Sequence, residues 1–79
     1  MDTNSIQLLD TVALVADLPE LGLFAGEVGA IVEELGHDVF EVEFVDGSGR
    51  TYGLHTLKSA QLVRLHTQGQ SLKARLQAA

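Results

Sequence analysis

The chain has 79 residues, no cysteine, no tryptophan and a formal net charge of −6. This length fits one small domain, and the absence of cysteine excludes disulfides, thiolate metal sites and cysteine nucleophiles. The acidic surplus argues against nucleic-acid binding, because neutralising phosphates requires lysine and arginine. No apolar run approaches the roughly 20 residues of a membrane-spanning helix, and the N-terminus lacks the positive charge of a secretory signal. We therefore expect a soluble, cytoplasmic domain with no nucleic-acid or membrane partner.

Charge is segregated along the chain. All eleven acidic residues lie in residues 1–46, and all five lysines and arginines lie in residues 47–79. The two segments carry −11 and +5, which sum to the net charge of −6. One explanation is internal, since late strands of a small β-fold lie beside early ones and bring opposite charges together across the sheet. The other is a strongly acidic face that attracts a basic partner.

Five short apolar or alternating segments predict β-strands. They lie at residues 11–16, 28–35, 39–45, 51–56 and 62–65. The third segment is the clearest, because Phe40, Val42 and Phe44 alternate with Glu41 and Glu43. This alternation predicts a strand with an apolar face on the core and an acidic face in solvent.

In the fourth segment we expect Tyr52 and Leu54 to face the core. The Tyr52 ring would then lie on the core with its hydroxyl at the rim. The same alternation places His55 on the outward face of that strand.

The connections between these segments carry turn signals. Residues 36–38 predict a short turn, residues 46–50 a glycine-rich hairpin, and residues 58–61 a tight turn that includes one 3₁₀ turn. The apolar pattern ends near His66, so we predict a domain over residues 1–66 followed by a polar tail over residues 67–79. Ser71 could cap a short helix in that tail, but the segment is too short to be helical alone. We expect it to be frayed, docked on its own acidic surface, or bound to a partner.

The order of these elements predicts a mainly β fold. Five short strands, a long loop after the first and a 3₁₀-like turn before the last are typical of a small SH3-like barrel. Partial closure of the sheet would also remove exposed strand edges.

The long loop is the predicted partner-binding site. Residues 17–27 combine a proline and two glycines with large apolar side chains, which must either fold back on the core or form a contact surface. We predict Leu23 and Phe24 to be apolar anchors, with Asp17, Glu20 and Glu27 as an acidic rim. The alternative is that Phe24 plugs the open end of the barrel.

Other residue groups favour structural roles over chemical ones. His37, His55 and His66 show no spacing typical of metal ligands. Residues 47–50 could cradle a phosphate only if a helix followed, and a strand is predicted there. Pairs of carboxylates and isolated serines likewise form no recognisable catalytic motif. We therefore expect no enzyme activity, no metal and no cofactor.

Several segments together resemble a known family. They are residues 8–14 (LLDTVAL), 17–20 (DLPE), 26–32 (GEVGAIV), 40–46 (FEVEFVD) and 49–52 (GRTY), followed by Leu57. This series is similar to a family of short bacterial proteins, frequent in cyanobacteria, known only as a domain of unknown function. The resemblance covers about residues 6–65 and implies an SH3-like barrel, but no activity. Phe24 departs from the family pattern, in which a lysine or arginine would follow Leu23.

A weaker similarity links the glycine turn at residues 26–29 to KOW-type RNA- and ribosome-binding motifs. The acidic charge of the chain contradicts that role. Our main expectation is a non-catalytic acidic interaction module that binds a basic protein and self-associates weakly at most. The alternatives are an antidote or immunity-type protein that blocks a basic toxin or nuclease, and a minor subunit of a larger complex.

Overall fold

A computed structural model describes residues 6–65, which form one sheet of five antiparallel strands. The strands are β1 (Thr11–Leu14), β2 (Val28–Gly36), β3 (Val39–Val45), β4 (Thr51–Lys58) and β5 (Leu62–Arg64). Short 3₁₀ turns span Pro19–Leu21 and Ser59–Gln61. The mainly β prediction is confirmed, and residues 6–65 contain no α-helix. The helix expected from Ser71 lies outside the described residues.

The strands are ordered β4-β3-β2-β1-β5 across the sheet. β4 and β5 are the two edge strands, and they are not paired with each other, so the sheet is open. The predicted barrel is therefore not confirmed. Among the described residues, no helix has the length and apolar character needed to cross a membrane.

One face of the sheet carries the core. Its buried apolar side chains are Val12, Leu14, Leu23, Ile31, Phe40, Val42, Phe44, Leu57 and Leu62. The β3 prediction is confirmed, because Phe40, Val42 and Phe44 are all buried while the intervening glutamates stay partly exposed. Phe44 is completely buried and is the largest of the fully buried side chains.

The prediction for the inward face of β4 is wrong for Leu54 and His55. In the register with β3, Gly53 lies opposite Phe44, His55 opposite Val42 and Leu57 opposite Phe40. Gly53, His55 and Leu57 therefore stand on the core face, because directly paired residues share one side of a sheet.

Two side chains of β4 differ from expectation for this reason. Leu54 lies opposite Glu43 on the outer face and is 54% exposed. His55 does not point outward, since its ring centroid is 6.3 Å from that of Phe44. A register shift causes the change of phase: Val45 pairs with Thr51 and Phe44 with Gly53, which leaves Tyr52 as the extra residue of a bulge.

Candidate functional site

The connection between β1 and β2, residues 15–27, is the longest in the described part of the chain, and we call its residues 17–27 the Phe24 loop. Its two halves are joined by a backbone bridge, in which the N–H of Leu18 donates to the carbonyl of Leu23 at 2.8 Å and the N–H of Leu23 donates back at 3.2 Å. Gly22 has a φ of 72° and ends the 3₁₀ turn between them. Only glycine adopts this conformation without steric cost, which explains its place in the loop.

Two carboxylates fix the tip of the Phe24 loop. The N–H of Ala25 donates to Oδ1 of Asp17 at 2.8 Å, and the N–H of Phe24 donates to Oε2 of Glu27 at 2.7 Å. The N–H of Gly26 also donates to the carbonyl of Leu14 in β1 at 2.8 Å. The tip is thus tied both to itself and to the sheet. Asp17 and Glu27, which the sequence predicts as an acidic rim, also organise the backbone of the loop.

The two predicted apolar anchors have different positions. Leu23 is 2% exposed and belongs to the core, so it attaches the loop to the domain. Phe24 is 53% exposed, and it does not plug the core. Glu20 lies exposed in the 3₁₀ turn of the loop. Of the two predicted anchors, only Phe24 is exposed enough to contact a partner.

Tyr52 lies beside the Phe24 loop, and sequence reasoning missed it as a site residue. Its ring centroid is 6.3 Å from that of Phe44, while its hydroxyl donates to Oε1 of Glu27 at 2.5 Å. The ring on the core and the hydroxyl at the rim agree with expectation, but the side chain remains 48% exposed. The two oxygens of Glu27 thus hold the backbone of Phe24 and the side chain of Tyr52.

This hydrogen bond changes the acidity of the tyrosine. The bond from Tyr52 to Glu27 is the main cause that raises the pKa of Tyr52 to about 12, and loss of solvent and the negative charges of Glu27 and Asp46 add to it. Loss of the proton would place a phenolate against a carboxylate, and the repulsion between these two negative charges explains why the pKa of Tyr52 is raised. The hydroxyl therefore stays a donor to Glu27 at neutral pH.

Asp46 begins the hairpin between β3 and β4. Its Oδ1 accepts hydrogen bonds from the hydroxyl of Ser48 at 2.7 Å, from the Ser48 N–H at 2.9 Å and from the Arg50 N–H at 3.0 Å. These bonds, the Ser48 hydroxyl first, lower the pKa of Asp46. The segment is the predicted hairpin, since β4 follows it directly.

A second acidic area lies on the outer face of β2 and β3. Glu33 pairs directly with Glu41, and the repulsion between their like charges destabilises this pairing. Hydroxyls of β4 partly compensate, since Thr56 donates to Glu41 at 2.7 Å and Thr51 donates to Glu43. These hydroxyls are neutral donors, so they leave the negative charge of both glutamates in place.

The internal explanation of the charge segregation receives little support. Within residues 6–65, Arg64 is the one lysine or arginine that pairs with a described carboxylate, at 3.8 Å from Asp10. His37 lies 3.2 Å from Asp38, but both are largely exposed. Most acidic side chains in residues 6–65 are therefore exposed to solvent and form no ion pair with a lysine or arginine of the same range.

The remaining candidates offer no assembled chemistry in the described range. No group of three histidine, aspartate or glutamate side chains there is placed to hold a metal ion. A groove lined by Ile6, Phe40 and Val63 is bordered by Glu34 and Asp38. Both acids are exposed, so this groove lacks the shielded carboxylate that acid–base catalysis uses.

These features define a small antiparallel β-domain whose longest described loop presents an exposed phenylalanine in acidic surroundings. The chain belongs to the family described as Domain of unknown function (DUF4926), whose model matches residues 8–64. The match spans all five strands and the Phe24 loop, and it confirms the predicted membership of a domain-of-unknown-function family. No curated protein and no solved structure matches the chain.

Proposed function

We propose that the domain is a non-catalytic protein-interaction module that binds a basic protein through the Phe24 loop. The observation that carries this proposal is the half-exposed side chain of Phe24. It lies on a loop whose backbone N–H groups already donate hydrogen bonds to the carboxylates of Asp17 and Glu27. A preorganised aromatic anchor loses little conformational entropy on binding, and aromatic residues are enriched among the strongest interface contacts.

The charge of the domain supports a basic partner. Ten of the eleven acidic residues lie in residues 6–65, since only Asp2 precedes them, whereas Lys73 and Arg75 lie beyond this range. The resulting negative field would accelerate encounter with a positively charged surface. Burial of Phe24 would then supply short-range affinity. We include an SH3-like arrangement in this proposal, supported by the five antiparallel strands and the 3₁₀ turn before β5.

Capture from a lysate of the source cells tests the proposal. Tagged wild type should retain one stoichiometric basic protein that a salt step releases. The variant Phe24→Lys should lose it, because the aromatic anchor is replaced by a like charge. Leu35→Lys is the matched control, since Leu35 is 46% exposed and lies near the opposite end of β2 from the loop. Equal retention by both variants, or an empty bait, would refute the proposal.

The identity of the captured protein distinguishes the more specific roles. An antidote or immunity-type function is supported by the acidic excess, and it requires the partner to be a toxin or nuclease that the domain inhibits. A role as a minor subunit requires a larger assembly, with loss of binding when residues 67–79 are deleted. If the truncated chain binds normally, the minor-subunit hypothesis that uses this segment is wrong.

A further inference from the structure

We infer that Phe24 and Tyr52, with the Glu27 carboxylate between them, form a seat for an arginine side chain of the partner. This inference rests on the proposed function and names the chemical group that the Phe24 loop recognises. It adds Tyr52, a residue of β4, to a surface otherwise formed by the connection between β1 and β2.

The geometry joins the two aromatic residues through one carboxylate. Oε1 of Glu27 accepts the Tyr52 hydroxyl at 2.5 Å, and Oε2 accepts the Phe24 N–H at 2.7 Å. Both aromatic side chains are about half exposed, at 48% and 53%. One carboxylate therefore binds the backbone of Phe24 and the side chain of Tyr52, two half-exposed aromatic residues on elements that are distant in sequence.

The chemistry of this arrangement suits a guanidinium group. Aromatic faces attract cations, arginine more often than lysine, and the planar guanidinium also stacks on rings. Each carboxylate oxygen can accept two hydrogen bonds, so Glu27 retains acceptor capacity after binding Tyr52 and Phe24. A guanidinium that donates to Glu27 would gain a charge-assisted hydrogen bond between the two rings.

Nearby acidic groups favour a cation at the seat. Asp46 lies close enough for its charge to contribute to the raised pKa of Tyr52, and Asp17 holds the neighbouring Ala25. The ligand recognised is thus positively charged, and its aromatic contacts distinguish it from a simple counterion. An exposed acidic cluster alone would not make that distinction.

The probe for this seat is a hexapeptide of alternating glycine and arginine. Its matched control contains citrulline in place of arginine, which keeps the shape and removes the charge. Tyr52 is the only tyrosine and the chain has no tryptophan, so intrinsic fluorescence reports on this side chain alone. We expect the arginine peptide to change that fluorescence and to shift the NMR signals of Phe24 and Tyr52, with the citrulline peptide inactive.

Variants then test each part of the seat. Tyr52→Leu should weaken binding of the arginine peptide by about two- to fivefold, the loss expected for one exposed cation–π contact. Glu27→Gln should weaken it further by removing the charge. Leu54→Ala, a change at an exposed β4 residue on the outer face, should leave it unaltered. Tyr52→Phe keeps the ring, so it should bind nearly as well as wild type if it remains folded.

The outcomes separate this inference from the proposed function. No peptide binding at millimolar concentration, equal binding of the citrulline peptide, or shifts confined to Glu41 and Glu43 would each overturn the arginine seat. If the basic partner is still captured in a Phe24-dependent manner, the proposed function survives that result. Loss of partner capture by Phe24→Lys and by Tyr52→Leu, with normal NMR dispersion of both variants, would support both.

Discussion

Replacing Gly29 by alanine should destabilise the domain strongly. Gly29 is buried in β2, between Val12 of β1 and Phe44 of β3. A Cβ at this position would lie 2.8 Å from the carbonyl oxygen of Glu43 and 2.9 Å from Cγ1 of Val42. The nearest atom is backbone, so relief requires the two strands to separate. Overpacking of this kind costs about 1–3 kcal/mol.

That loss is large against the total stability of such a domain. A chain of this length has a free energy of unfolding of about 4–12 kcal/mol, and each kcal/mol shifts Tm by about 4–8 °C. Thermal and urea unfolding followed by circular dichroism would measure the change. We expect Gly29→Ala to lower Tm by about 4–24 °C.

Two further glycines provide the controls. Gly36 lies in the same strand, and a Cβ added there would meet nothing within 4 Å, so Gly36→Ala should be neutral or stabilise by about 0.4–1 kcal/mol. At Gly53 the Cβ would lie 3.1 Å from Nε2 of His55, a side chain that can move, so the cost should be intermediate. Equal midpoints for Gly29→Ala and Gly36→Ala would refute the close approach of β2 and β3.

Three other measurements test the core and the polar contacts. Phe44→Ala should cost about 3–5 kcal/mol in urea unfolding, and a mild effect would mean that the core face is misplaced. Tyrosinate absorbance should titrate with a midpoint of about 12, and Glu27→Gln should move it towards 10.0. Because the pKa of Tyr52 is raised, the stability from this bond is present below pH 10 and lost as pH rises through about 12. The pKa of Asp46 is lowered, so its contribution is present above pH 3.8 and lost on further acidification, a dependence that Asp46→Asn should remove from pH-resolved unfolding curves.

The strands could be predicted because their signals are local. Alternation of Phe40, Val42 and Phe44 with glutamates marks β3 from residue to residue. The glycine-rich segment that begins with Asp46 marks the hairpin in the same way. Sheet closure could not be judged from such signals, because it depends on whether two edge strands distant in sequence meet.

The candidate site was only partly predictable for a related reason. The bulge in β4 is decided by pairing with β3, and it determines that Tyr52 is half exposed while Gly53 faces Phe44. Strand alternation counted backwards from Leu57 places Gly53 on the core face. This is the one sequence signal that could have shown that Tyr52 does not belong to the core-facing set. The burial of Leu23 likewise depends on its bridge to Leu18.

The segregation of acidic and basic residues along the chain can be interpreted once the ion pairs and hydrogen bonds of the carboxylates are known. Had the late bases neutralised the early acids across the sheet, the field around the Phe24 loop would be weak and a neutral partner would serve equally well. Within residues 6–65 that neutralisation reaches Asp10, through Arg64, whereas Asp17 and Glu27 accept hydrogen bonds from neutral N–H and O–H donors. Neutral donors orient a carboxylate without cancelling its charge. The same groups therefore hold the loop backbone by hydrogen bonds and keep it negative, and these are the two properties that the proposed basic partner would use.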